Sequence, residues 1–377
     1  MPALRNDIDP DGLLEYSVVF TDRSLNHMSA EFQGVMRDIS TSLKKVYNAD
    51  GIALVPGGGT FGMEAVARQF ANDQNTMIVR NGWFSYRWTQ IFDACGMTAS
   101  STVMKATRGM DNRQAPFAPT DIEELVARIR EEKPSVVFAP HVETSAGMML
   151  PDSYIKAAAD AVHEYGGLFV LDCIASGCMW VDMKACGVDV LISAPQKGWS
   201  ASPAAGIVMM SAKAIEKMAE TKSKSFACDL KKWYEIMQAY ESGGHAYHAT
   251  MPTDSLKRFR DIVIETEEYG FAKLKENQIE LGSRIRSSLE KAGFKSVASK
   301  AFQAPGVVVS YTDDADIQSG KKFAANGMQI AAGVPLMCDE GEDYSSFRIG
   351  LFGLDKLQDV DGAVERFDKV LEQVLAA

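Results

Sequence analysis

Two residues carry the sharpest chemical signal in this sequence. Asp172 ends the apolar run GLFVLD (167–172), and Lys197 follows 25 residues later in SAPQKGWSASPAAG. An open parallel sheet binds ligands outside the carboxyl ends of its strands. Asp172 ends one such candidate strand and Lys197 sits just past the next, VDVLIS (188–193), so the two can face one crevice. A buried carboxylate needs a cationic or donor partner, or it takes up a proton. A lysine in a dry pocket gives up its proton more readily and becomes a nucleophilic amine. Together they match pyridoxal phosphate chemistry, in which a lysine forms the Schiff base and a carboxylate keeps the pyridine nitrogen protonated. Taken singly, each has a plainer reading, Asp172 as a turn residue and Lys197 as a solvated loop residue.

That chemistry also requires a phosphate cradle. PGGGT (56–60) lies between the apolar run IALV and the helix-like FGMEAVARQFA. Free N–H groups at a helix start, with the Thr60 hydroxyl, can hold a phosphate, although a plain strand-to-helix turn has the same appearance. The segment is not a Walker loop, since G-x-x-x-x-G-K-[ST] fails. Gly57, Gly59 and Gly62 satisfy G-x-G-x-x-G, but Arg80 stands in the region where a dinucleotide site needs an acidic residue. A nicotinamide dehydrogenase is therefore disfavoured.

The elements that must position these residues are legible as a pattern. Apolar runs at 52–55, 76–79, 135–139, 167–172, 188–193 and 205–210 alternate with amphipathic stretches such as 120–132 and 152–166. Strands without polar alternation are buried on both faces, so an α/β fold with a mostly parallel, doubly wound sheet is predicted. Asp152 is the expected N-cap of the second stretch, and Gly166 and Gly167 close it. Beyond Pro252 the pattern becomes α+β. One long helix is expected from about 254 to 292, strands at 307–311 and 346–352, and a last helix near 360–375. The predicted organisation is an N-terminal arm with a lead-in helix (1–22), a large domain (23–255) and a small C-terminal domain (256–377).

The 377 residues carry 39 Lys and Arg against 50 Asp and Glu, a net charge of -11 that repels phosphate backbones and argues against general nucleic-acid binding. No uncharged apolar stretch reaches the ~18 residues a membrane span needs. The N-terminus lacks a basic region followed by an apolar run, and the six cysteines show neither C-x-x-C pairs nor zinc spacing. Reduced thiols and a cytoplasmic enzyme are the expectation.

At these residues the chain resembles the class V aminotransferases, the pyridoxal phosphate-dependent fold type I family that includes the alanine–glyoxylate and serine–pyruvate enzymes. The matching pieces occur in the family's order: GGT at 58–60, NGWF at 81–84, HVETSAG at 141–147, LDCIASG at 171–177, SAPQKGW at 193–199, YHAT at 247–250 and FRIGLFG at 347–353. The resemblance runs from about residue 25 to the end. It implies that Lys197 carries pyridoxal 5'-phosphate and shuttles the proton, while Asp172 pairs with the pyridinium nitrogen. Gly58, Gly59 and Thr60 would bind the phosphate with Gln196. Tyr247 and Thr250 would reach the cofactor of the second subunit, so that a homodimer shares its sites. Phe84, or Trp83 beside it, would stack on the ring, Thr144 would touch the cofactor edge, and Arg348 would grip the substrate carboxylate.

The implied activity is ping-pong transfer of an amino group from a small amino acid to a keto acid such as glyoxylate or pyruvate. The sequence departs from the family in the segment FTDRSLNHMSAEF, which lacks the usual PGP-type opening, and at Ser85, which replaces a frequent glycine. The alternative is a lyase or a cysteine desulfurase-like enzyme using Cys338. Asp339, Glu340, Glu342 and Asp343 surround that thiol and would suppress its thiolate. A non-enzymatic binding protein on this fold would have no need of Lys197.

Overall fold

The computed structural model describes residues 5–110 and 112–376. Its central sheet has seven strands: β1 (Gly51–Pro56), β2 (Asn75–Arg80), β3 (Ser100–Lys105), β4 (Val136–Pro140), β5 (Leu168–Asp172), β6 (Val190–Ser193) and β7 (Ala205–Met210). Their order is β1-β7-β6-β5-β4-β2-β3. Every residue of β4 to β7 is buried, which is why these strands read as continuous apolar runs. β3 lies at the edge, and four of the six residues of its sequence SSTVMK are polar, so no apolar run announced it.

Only β7 runs against its neighbours, antiparallel to both β1 and β6, while the remaining pairs are parallel. Two reversals cancel. β1 therefore points the same way as β6, and the chain leaves Pro56, Arg80, Pro140, Asp172 and Ser193 along one edge of the sheet. The helix Gly59–Phe70 packs flat on β7 because glycine meets glycine. A Cβ on Gly206 would lie 2.6 Å from the Gly62 Cα and from its nitrogen.

Three expectations are corrected. The helix Asp152–His163 is capped by Pro151, and Asp152 is its first helical residue, a position where its charge suits the helix dipole. The long C-terminal helix is two helices, Thr253–Tyr269 and Phe271–Lys291, broken at Gly270 with φ 106°, a backbone conformation open to glycine. Amphipathic spacing continues across that break, so periodicity alone missed it. No helix occurs in residues 5–29. The first one is Ala30–Tyr47, capped by Ser29, whose hydroxyl accepts from the Phe32 N–H at 3.1 Å.

The C-terminal part holds a three-stranded antiparallel sheet of β8 (Val307–Tyr311), β9 (Ala331–Ala332) and β10 (Ser346–Gly350), with β10 in the middle. The helices Phe271–Lys291 and Val360–Ala376 pack on it through Leu274, Leu281, Phe347, Phe367 and Leu371. The helix Thr253–Tyr269 crosses the expected domain boundary and buries Leu256, Phe259 and Val263 in the larger core. No helix of the described residues is long and apolar enough to cross a membrane.

The Gly62–Gly206 contact generates a prediction. Gly206→Ala forces helix and strand apart, and overpacking of this kind costs about 1–3 kcal/mol. Urea unfolding should show a lower midpoint, whereas Gly58→Ala, with open space around its Cβ, should cost far less.

Candidate active site

Asp172 ends β5 opposite Ile192 of β6 and is buried. One of its oxygens accepts the Ile174 N–H at 2.9 Å, and no cation lies within 4.0 Å among the described residues. Burial is the main cause that lifts its carboxyl from the ordinary range to about 7; the Ile174 amide and Arg87 pull it down, and the Glu143 charge pushes it up. Lys197 follows β6 in the same edge, half-buried, with Nζ 5.9 Å from the centre of the Phe352 ring. It too has no ion-pair partner among the described residues. Burial, then Arg348 and Arg87, lower its pKa, which favours the neutral amine. The adjacent strands thus deliver an acid and an amine that are buried and left unpaired.

The turn after β1 supplies the cradle. Gly58 caps the helix Gly59–Phe70 with no side-chain bond, so the first N–H groups keep no side-chain acceptor. Gly59 lies against Ile174, where a Cβ would approach the isoleucine Cδ1 to 2.6 Å. The Thr60 hydroxyl is exposed and accepts from Arg87 Nη1 at 3.1 Å. After β2, the helix Trp83–Cys95 carries Phe84 and Arg87 on its first turns. Two guanidinium groups approach the Phe84 ring, Arg87 at 5.6 Å and Arg348 at 5.7 Å from its centre. The Trp83 ring packs instead beside Tyr86, with centroids 5.7 Å apart. Phe84, not Trp83, therefore shares a neighbourhood with Arg348.

Arg348 sits on the middle strand β10. Its Nε donates to the Ala332 carbonyl at 2.8 Å, which fixes the fork, and no carboxylate lies within 4.0 Å among the described residues. Burial lowers its pKa, and Glu143 opposes that shift. Thr144 is buried in the turn after β4, and Gln196 is exposed immediately before Lys197. Tyr247 and Thr250 are not brought to this crevice within one chain. They lie on an exposed loop, their hydroxyls 3.4 Å apart, with the Tyr247 ring 5.6 Å from His27.

The sequence reading passed over Glu143, which sits inside the quoted HVETSAG yet is wholly buried and accepts from the helix that carries Phe84. Its only sequence signal was an acidic residue three positions after the strand-end proline. His141 is buried, 2.7 Å from the Ser176 hydroxyl, and burial, with Lys275, depresses its pKa to about 3, so it stays neutral. Cys338 is also buried. Burial, then Glu143 and Glu340, push its thiol up to about 12, and Sγ points at the Arg80 carbonyl at 3.3 Å. Such a thiol is no nucleophile.

A lysine and a carboxylate at the ends of neighbouring strands, with a helix N-terminus beside them, define an α/β enzyme of the pyridoxal phosphate type. The family model for aminotransferase class-V matches residues 13–358, and the chain belongs to that family. Among curated relatives, alanine–glyoxylate aminotransferase 1 of Saccharomyces cerevisiae is 25% identical over 352 residues, covering 88% of this chain and 86% of the relative. A 2-aminoethylphosphonate–pyruvate transaminase of Syntrophobacter fumaroxidans is 25% identical over 331 residues, covering 86% and 84%. The crystal structure of an alanine–glyoxylate aminotransferase from Nostoc sp. superposes with a TM-score of 0.78 at 21% identity, covering 93% of this chain and 89% of that one. The protein is an aminotransferase, and its cofactor is pyridoxal 5'-phosphate.

The residues present fit that cofactor: a helix start with unused N–H groups, a buried carboxylate lacking a cation, and an unpaired amine. Asp172 also makes a prediction for the cofactor-free protein. Its folded pKa of about 7 lies above the unfolded value, so its contribution to stability is full below about pH 4 and is lost as pH rises through about 7. Asp172→Asn removes that loss. Thermal unfolding should find the apo-variant level with wild type near pH 4 and clearly more stable near pH 8.

Proposed function

We propose that this enzyme moves an amino group from a small amino acid to glyoxylate or pyruvate in a ping-pong cycle, with sites shared between two subunits. The observation that carries the reading is the set of three buried or half-buried groups, Asp172, Lys197 and Arg348, which lie within reach of the Arg87 charge, the Glu143 charge or both, and form no ion pair within 4.0 Å among the described residues. The names of the aligned relatives support glyoxylate and pyruvate as acceptors.

When bound, pyridoxal phosphate supplies a carbonyl carbon for the amine and a conjugated ring that takes up the electron pair left as the substrate Cα loses its proton. Asp172 holds the proton on the ring nitrogen, and a carboxylate in so dry a site favours the cationic partner strongly. Lys197, with its lowered pKa, would take the proton from Cα and return it to the former carbonyl carbon, two bonds away across the nitrogen. The N–H groups after Gly58, the Gly59 backbone, the Thr60 hydroxyl and Gln196 hold the phosphate at the helix start. Phe84 limits tilt of the ring, so the breaking C–H bond stays aligned with the π system. Thr144 contacts the cofactor edge. Arg348 clamps the α-carboxylate with its planar fork, which lysine cannot reproduce.

The exposed Tyr247 and Thr250 serve the other subunit's phosphate, which is why they have no role in their own chain's crevice. Exposed Phe61, Phe226 and Tyr247 are consistent with a face that a second copy covers. All six cysteines are free, and we place the enzyme in the reducing cytoplasm. No observation favours the desulfurase alternative, given the buried Cys338 thiol.

The decisive experiment is absorbance spectroscopy of the wild type beside Lys197→Ala, followed by a panel of amino acids without keto acid. The wild type should show a visible cofactor band that a few amino acids bleach, and the variant should lack the lysine-linked form. A band that no amino acid bleaches would overturn transamination in favour of elimination. In the same assay Arg348→Lys should lower kcat/KM for α-carboxylate donors roughly 10- to 100-fold, the loss expected for one charged hydrogen-bonded contact.

A further inference from the structure

Glu143 is the most completely enclosed ionisable side chain near the crevice, at 0% exposure. Its carboxylate accepts from three backbone N–H groups, Phe84 at 3.2 Å, Ser85 at 2.8 Å and Ser145 at 3.1 Å. It also accepts from the hydroxyls of Ser85 and Ser145, each at 2.7 Å. The Ser145 hydroxyl in turn accepts the Trp83 N–H at 2.9 Å. The first three N–H groups of the helix Trp83–Cys95, normally orphans, therefore end on one carboxylate and on the serine it orients. Gly82 makes the approach feasible, since a Cβ there would meet the Ser145 hydroxyl and the Glu143 side chain.

A serine or an aspartate is enough to cap a helix. A wholly buried carboxylate is a costly way to do so unless its charge has a further use. Two such uses are present. The helix turn it grips carries Phe84, the ring that Arg87 and Arg348 approach. The charge itself acts on Asp172 and on Arg348, raising the pKa of both, beside the guanidinium groups of Arg87 and Arg348.

We propose that Glu143 is a positioning residue for the cofactor: its buried carboxylate fixes the first turn of the helix 83–95, and thereby the Phe84 ring, against the Lys197–Arg348 crevice. This role rests on the reading of the site given above. Glu143 comes from the turn after β4, so it ties the loop bearing Thr144 to the helix bearing Phe84. The two cofactor contacts then move as one unit. An amide in its place presents an NH2 group to N–H donors, and at least one of the five bonds becomes a clash of donors.

The test uses Glu143→Gln, with Ser145→Ala as the variant that keeps the charge and loosens the clamp. In the wild type, cofactor affinity is measured by fluorescence titration with pyridoxal phosphate, and ring seating by the visible circular dichroism of the bound cofactor. Glu143→Gln should raise the dissociation constant about tenfold or more and weaken the dichroic band, the size expected for loss of a charge-assisted contact. Ser145→Ala should do the same to a smaller extent.

A second readout needs no cofactor. Asp172 is faced by Glu143 from the turn after β4, by Arg87 from the helix 83–95, and by Cys173, the residue that follows β5. Removing the Glu143 charge should move the Asp172-dependent stability change of the apo-protein to lower pH, and Asp172→Asn should abolish that change in either background. Glu143→Gln with a lowered melting temperature but wild-type affinity, dichroism and pH midpoint would reduce Glu143 to a helix cap and overturn the proposal. Should Glu143→Gln not fold, unchanged affinity and dichroism in Ser145→Ala would overturn it as well. A wild type that binds no pyridoxal phosphate would defeat the functional reading instead, and the apo-protein pH shift would still decide the charge coupling.

Discussion

The structure depends on charge held out of water without a protein partner. Asp172, Lys197 and Arg348 each lose solvation at the edge of the sheet, and none recovers it through an ion pair among the described residues. Unpaired buried charge is destabilising, and a chain retains it where a ligand supplies the missing partner. Two of the shifts move toward the neutral form, an acid that keeps its proton longer and an amine closer to neutrality, while the Arg348 guanidinium has no carboxylate within 4.0 Å among the described residues.

Sheet topology turns these separate costs into one site. The single reversed strand β7 lets β1 return parallel to β6, so the glycine turn 57–60 emerges on the same edge as Asp172 and Lys197. The Gly62–Gly206 contact seats the helix of that turn against the sheet. From the other side, β10 presents Arg348, and the cross-bonded turn at Glu143 brings the helix of Phe84 to meet it. A protein with a net charge of -11 thus keeps two guanidinium groups, Arg87 and Arg348, beside the Phe84 ring.

The same electrostatics bear on Cys338, the thiol of the desulfurase-like alternative. Cys338 is close enough to the machinery to feel Glu143, yet it is buried, bonded to the Arg80 carbonyl and raised to about 12. Its loop is pinned by Arg80, which donates to the Met337 carbonyl, and by the Lys105–Asp339 pair at 2.8 Å. A thiol held in that state serves packing, not attack on a substrate.

The sequence by itself determined the parts that are local or periodic. Unbroken apolar runs disclosed the buried strands, because burial on both faces removes every polar position, and the joint spacing of Asp172 and Lys197 suggested the chemistry of the cofactor that the family carries. What it left open depends on contacts between distant segments. The edge strand β3 has no apolar signature, since solvent replaces one of its neighbours. The break at Gly270 is a backbone angle, invisible to side-chain periodicity. Only packing distinguished Phe84 from Trp83, as both occupy one helical turn and a rotation of about 100° separates them. Glu143 was beyond reach for the same reason: its five donors come from residues 84, 85 and 145, and only folding brings those to one carboxylate.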